Sequence, residues 1–188
     1  VFVMPWYEGV PLDEILTAQG LEQYAPHMDE IVLQCAKQLW RLHEKRSNGK
    51  KMIHGDIASS QFIVNLKGNQ VTVQLVDLGN AILIPEGQNS IQACKRGTPN
   101  FAAPEIVKNG EFSQSSDCYA FGCILESFPQ IPSSRAFAEL ADQLMHDNPL
   151  KRPSMKEVVE RLEHMIRLHA KSNEQEAEIC SKFNNLSI

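Results

Sequence analysis

The sequence predicts a mainly α-helical fold with one small β-hairpin, and three observations lead there. Met28, Ile31, Cys35, Leu39 and Leu42 recur at helical spacing. The stretch "SSDCYAFGCILESF" (115–128) is apolar on nearly every side, as a buried central helix is. "FIVNL" and "VTVQLV" flank "KGNQ", two strand-like runs around a Gly-containing loop.

Taken in order, residues 1–4 read as a strand limited by Pro5 and Gly9. Pro11 opens a short helix over 11–18, where proline is tolerated in the first turn, and Gly20 ends it. The amphipathic helix comes next, over about 28–45, and is broken by "SNGKK". The hairpin is third, with Asp77 at the end of its second strand. Residues 79–100 hold no clear period and are punctuated by Pro85, Gly87 and Gly97. They read as a long loop, of the kind that is more often functional than decorative. "APEIVKN" (103–109) is a short helix. The central helix is expected over 116–128, with Phe121 and Leu125 inside, and "FPQIP" interrupts the helical run. Ser134 can cap "RAFAELADQLMHD". Ser154 and Glu157 form a capping box for a last helix with Val158, Leu162, Met165 and Ile166 on its inner face. The polar "SNEQEAE" suggests a loosely held tail over 171–188.

Composition narrows the function. The 188 residues suit one domain, or a large lobe with a tail; 43% are apolar and 22% charged, enough for a core without metals or disulfides. A net charge of −5 with no basic cluster speaks against nucleic acid or a membrane surface as partner. Cysteines at 35, 94, 118, 123 and 180 form no C-x-x-C pair and are odd in number. They argue against a disulfide frame or a zinc site, and for a reducing compartment, cytoplasmic or nuclear. No apolar run reaches the roughly 18 to 20 residues of a membrane span. The chain opens on a strand-like run without an initiator Met, and such a strand needs a neighbour; the expectation is that something upstream is missing.

Two aspartates carry the chemistry. Asp56 sits in "HGDIASSQF" (54–62), in the loop before the hairpin, and Asp77 ends the hairpin's second strand. The hairpin brings both acids towards one edge of the same small sheet. One acid to orient an acceptor hydroxyl and one to anchor a cation against phosphate charge is what phosphoryl transfer requires. Alone the pair is a weak signal, because His-x-Asp is a common triplet and a strand-end Asp is often a turn former.

The order of further motifs strengthens it. "HGDIASSQ", "DLG" (77–79), "GTPNFAAPE" (97–105), "SSDCYAFGCILES" and "NPLKRPS" (148–154) succeed one another as the corresponding motifs do in eukaryotic-type protein kinases. "VFVMPWYEGVPLDEIL" is similar to the strand and hinge joining the two kinase lobes, and then the first large-lobe helix. The chain therefore resembles the C-terminal lobe of that family. The resemblance implies residues 1–10 as last small-lobe strand and hinge, 11–170 as the large lobe, and ATP with Mg2+ as cofactors. A protein substrate or binding partner is implied too.

The same resemblance implies roles residue by residue. Asp56 would orient the acceptor hydroxyl and act as base, and Thr98 would hydrogen-bond near it, as in serine/threonine kinases. Asp77 would hold magnesium, with Gln61 where a second metal ligand, Asn, normally stands. Met4 would be the gatekeeper; Pro5 and Tyr7 would offer adenine their backbone groups. Glu105 would pair with Arg152, Asp117 would anchor the catalytic-loop backbone, and His54 would pack behind the aspartates. Each has a plainer rival: a core histidine, two unrelated surface charges, a loop threonine, a turn-forming aspartate, a core methionine.

Several positions depart from the family pattern. Gly55 replaces the usual Arg, so a phosphate near Ser90 would lose its cationic partner. Ala58 and Ser60 stand where a Lys or Arg meets the transferring phosphate. Gln61 adds a methylene to a metal ligand, and Leu78 replaces Phe. No Gly-rich loop, strand Lys or partner Glu is present in these residues, so half of the nucleotide cleft is missing. Three functions compete: a serine/threonine kinase lobe, a pseudokinase serving as a binding or scaffold module, and a small-molecule phosphotransferase of the aminoglycoside or choline type. "GTPNFAAPE" argues against the last.

Overall fold

The computed structural model describes residues 7–44, 50–93, 98–128 and 134–185. The strand expected over 1–4 lies outside these residues, as do Met4 and Pro5.

The hairpin is built as its sequence pattern requires. β1 (Val10–Pro11), β3 (Phe62–Lys67) and β4 (Gln70–Leu75) form an antiparallel sheet in the order β1-β3-β4. Register runs from Phe62 opposite Leu75 to Lys67 opposite Gln70. Alternation along the strands buries Phe62, Val64, Val71, Val73 and Leu75, and turns Asn65, Thr72 and Gln74 away from the core.

Helices supply the rest of the core. α1 (Leu12–Ile15) starts from Pro11, and α2 (Ala18–Tyr24) comes directly after it. The single helix over 11–18 is therefore two short ones, and Gly20 lies inside the second rather than ending the first. A Cβ at Gly20 would stand 2.6 Å from the Ile15 carbonyl oxygen, so this glycine serves close packing between turns. α3 (Met28–His43) carries Asp29 and Glu30 in its first turn and Arg41 and His43 in its last, matching the helix dipole. α4 (Pro104–Asn109) is short. α5 (Gln114–Glu126) is the buried central helix, with Phe121 1% and Leu125 2% exposed. It starts two residues earlier than expected because Ser113 and Ser116 cap it reciprocally. Phe121 meets Phe62 edge to face, at 6.4 Å between ring centroids, joining helix and hairpin.

α6 (Ser134–Leu144) packs on α5, and α7 (Met155–Asn185) on α3. The Ser154–Glu157 box is formed: the Ser154 N–H donates to Glu157 at 2.8 Å, and the Glu157 N–H to the Ser154 hydroxyl at 3.4 Å. α7 runs on through the residues expected as a loose tail. Glu, Gln, Ala and Lys there are good helix formers, with no Pro or Gly to stop them.

The loop expected over 79–100 is also corrected. It contains β5 (Ile82–Ile84), paired with β2 (Lys51–Ile53), and β6 (Ser90–Gln92), paired with β7 (Glu111–Ser113). Three-residue strands are too short to show a period. Their partners lie about 20 to 30 residues away, so pairing is settled by tertiary packing. Ile53, Ile84 and Phe112 form a second small core, with Ile82, Ile91 and Ile106 against it. Among the described residues no helix is long and apolar enough to cross a membrane.

Candidate functional site

Asp56 stands between β2 and β3, on a loop held from below. Asp117, 2% exposed in the first turn of α5, accepts the His54 N–H on Oδ2 at 2.7 Å and the Gly55 N–H on Oδ1 at 2.9 Å. His43 at the end of α3 reaches the same Oδ2 through Nε2, at 2.9 Å. One buried carboxylate thus ties α3, α5 and the loop, and its charge is met by three donors. The sequence reading missed His43. Its signal was positional: it continues the Cys35–Leu39 face of α3 by one further step of four.

His54 is fully buried and its Nε2 lies 3.0 Å from the Val76 carbonyl. A carbonyl only accepts, so Nε2 carries the proton and ties the loop to the strand leading to Asp77. Gln61 makes a parallel tie: its carbonyl accepts the Val76 N–H at 2.9 Å. Both ends of "HGDIASSQ" are therefore stitched to the residue preceding Asp77.

Asp56 is half-buried and both its oxygens are engaged. Oδ1 accepts the Thr98 N–H at 2.8 Å and the Thr98 hydroxyl. Oδ2 accepts from the Asn80 side-chain amide at 3.1 Å. Asn80 is a second residue that the sequence reading passed over.

Asp77 is exposed and its backbone is left-handed, at φ 60° and ψ 61°, with a long 3.3 Å bond from the Gly79 N–H to Oδ1. A non-glycine residue there is uncommon and marks a constrained position. No group of three or more His, Cys, Asp or Glu side chains among the described residues could hold a metal ion. A single exposed carboxylate is compatible only with a magnesium ion that takes most of its ligands from phosphate oxygens and water.

Tyr7 lines a cleft of about 290 Å³ with Glu8, Ile63, Asn65, Thr72, Val73 and Gln74, on the outer face of the hairpin. Ile63 is an apolar floor residue there that the sequence reading did not single out. Burial pushes the Cys118 thiol up to about 12 and the Cys123 thiol up to about 11, so these two α5 cysteines stay protonated at neutral pH.

Glu105 and Arg152 form a two-pronged ion pair, at 2.6 and 2.8 Å, with the guanidinium fully buried. Arg152 also donates to the carbonyls of His146 and Ser115 and lies over the Tyr119 ring at 4.9 Å. The pair clamps α4, which ends the Thr98 segment, onto the base of α5 and the turn before α7.

Residues 1–130 match the family model described as "Protein kinase domain". The chain is 27% identical over 154 residues to the dual specificity protein kinase shkC of Dictyostelium discoideum, covering 66% of this chain and 29% of that protein. It is 28% identical over 187 residues to mouse serine/threonine-protein kinase Nek1, covering 85% of this chain and 15% of that protein. It is also 31% identical over 129 residues to mouse "Inactive serine/threonine-protein kinase PLK5", covering 64% of this chain and 20% of that protein. The chain spans less than a third of the length of each of these relatives. With the motifs in family order and the family model spanning more than half of its residues, the chain belongs to the protein kinase family.

Proposed function

We propose that these residues are the hinge and helical lobe of a serine/threonine-type protein kinase, transferring the γ-phosphate of ATP to a protein hydroxyl. The observation that carries this reading is Asp56 held by both the backbone and the hydroxyl of Thr98, on a loop anchored by Asp117. That arrangement presents a fixed carboxylate to an incoming hydroxyl, which orients it and takes its proton. Asp77 and Gln61 would hold Mg2+, which supplies neutralisation of phosphate charge when bound. Tyr7 and Ile63 would meet the adenine side of the nucleotide. The chain by itself offers one wall of that cleft, and we assign it no activity alone.

A pseudokinase is the second reading. It is favoured by Ala58 and Ser60, which place no cation where charge develops on the transferring phosphate. A loss of such stabilisation costs orders of magnitude in rate, so any complete enzyme is a slow one.

The test is a Mg2+-ATP phosphotransfer assay on the full-length protein with a mixed protein acceptor. Transfer is expected, falling at least about 100-fold in Asp56→Asn and in Asp77→Asn, as loss of a positioned acid–base group does. No transfer by the wild type, or transfer unchanged in both variants, rejects the enzyme reading in favour of the pseudokinase.

A further inference from the structure

The second oxygen of Asp56 points to a feature particular to this chain. Oδ1 is held by Thr98, whereas Oδ2 accepts from Asn80 Nδ2 at 3.1 Å. Asn80 ends the 3-10 turn Leu78–Asn80, directly after the Asp77 position. That turn lies close against residue 55. Gly55 has φ +78°, and a Cβ there would stand 3.2 Å from the Asn80 carbonyl oxygen and 3.7 Å from the Phe112 ring. A side chain at 55 would start from a left-handed backbone and would need the Asn80 carbonyl to give by a few tenths of an ångström. Gly55 and the Asn80–Asp56 bond thus lie on the same close approach of turn and loop.

Resting on the kinase reading above, we infer that Asn80 is a positioning residue: its amide holds the Asp56 carboxylate in its acceptor-facing orientation. The physical need is clear from what else surrounds Asp56. Ala58 and Ser60 bring no cation to this carboxylate, so its orientation depends on neutral donors from two sides, Thr98 and Asn80. Two donors on opposite oxygens fix the carboxylate's rotation, which one donor pair on a single oxygen does not. The same amide bridges the Asp56 and Asp77 loops. A shift of the magnesium-binding segment is therefore felt at the acceptor acid.

Two measurements test this. The first needs no activity: in this chain, the Asn80 side-chain amide protons are tracked by 15N NMR in wild type and in Asp56→Asn. Slowed exchange that is lost in the variant is expected; fast exchange in both overturns the inference. The second compares Asn80→Ala, Asn80→Asp and Asn80→Gln in the full-length protein. Asn80→Ala is expected to lower kcat about tenfold with KM for ATP unchanged, below the roughly hundredfold that ångström-scale misplacement can cost. Asn80→Asp falls further, because it faces Asp56 with a second carboxylate, and Asn80→Gln recovers part of the rate. Wild-type transfer with Asn80→Ala equal to it overturns the positioning role and leaves the kinase reading standing. A parallel fall in kcat, KM and melting temperature, without recovery in Asn80→Gln, shows a merely structural residue. A protected Asn80 amide in a wild type that transfers no phosphate removes the kinase reading and the catalytic part of this inference with it.

Discussion

Arg152 ties together several parts of the helical region. Its guanidinium is fully buried and its donors are spread over Glu105 and three backbone carbonyls, of His146, Ser115 and Asp147. Arg152→Ala strands the Glu105 carboxylate, 9% exposed, together with those carbonyls. Breaking a buried pair from one side costs about 3–5 kcal/mol, and a denaturant melt should show the lowered midpoint; coincident melts of variant and wild type would refute the assignment. Gly55 is the second instructive residue. Gly55→Arg puts a side chain on a left-handed backbone against Asn80, at about 1–2 kcal/mol for the backbone conformation alone. The variant is expected to melt earlier than wild type. It is also expected to gain nothing from a phosphate near Ser90, because β6 is already held by its pairing with β7. A Gly55→Arg protein as stable as wild type and activated by phosphorylation at Ser90 would disprove both points.

At the scale of elements, residues 78–93 are held by packing. β5 and β6 each pair with a strand from elsewhere, and Ile84 and Phe112 are fully buried beneath them. This apolar anchoring holds β5 and β6 without any contact from residue 55 being required. Phe112→Ala should therefore cost about 3–5 kcal/mol, the usual range for a buried phenylalanine. Its effect should be local first: limited proteolysis is expected to cut between residues 82 and 93 well before the helices unfold. Simultaneous loss of all elements, with no early cut, would show that the second core is not a separate unit.

The whole molecule has a main core of helices and hairpin, with the second core beside it. Its candidate nucleotide cleft is open: Tyr7 is 39% exposed, and the outer hairpin face lines about 290 Å³ without a covering element among the described residues. On the proposed reading, a nucleotide in this cleft would be contacted from one side by the described residues, with no Lys among those that line it. Affinity for Mg2+-ATP should be millimolar or weaker, about 4 kcal/mol of binding. A thermal-shift titration of this chain reads it directly, and saturation in the micromolar range would contradict the one-wall picture.

The amino-acid order by itself determined whatever rests on neighbours within a helical turn or a hairpin. The hairpin around Gly68, the apolar α5 and the Ser154–Glu157 box are local patterns, each legible because period and capping act over a few residues. The family motifs were legible for the same reason, being short and consecutive. Gly20 misled because glycine ends helices and also permits close packing, and only the backbone of Ile15 beside it tells which. Tertiary structure alone decided the strands within 79–100, because three residues hold no period and their partners are distant in the chain. It alone brought His43 to Asp117 across 74 residues, and Asn80 to Asp56 across 24. Those two bonds depend on where α3 and the 3-10 turn come to rest on the core, and no local pattern encodes that.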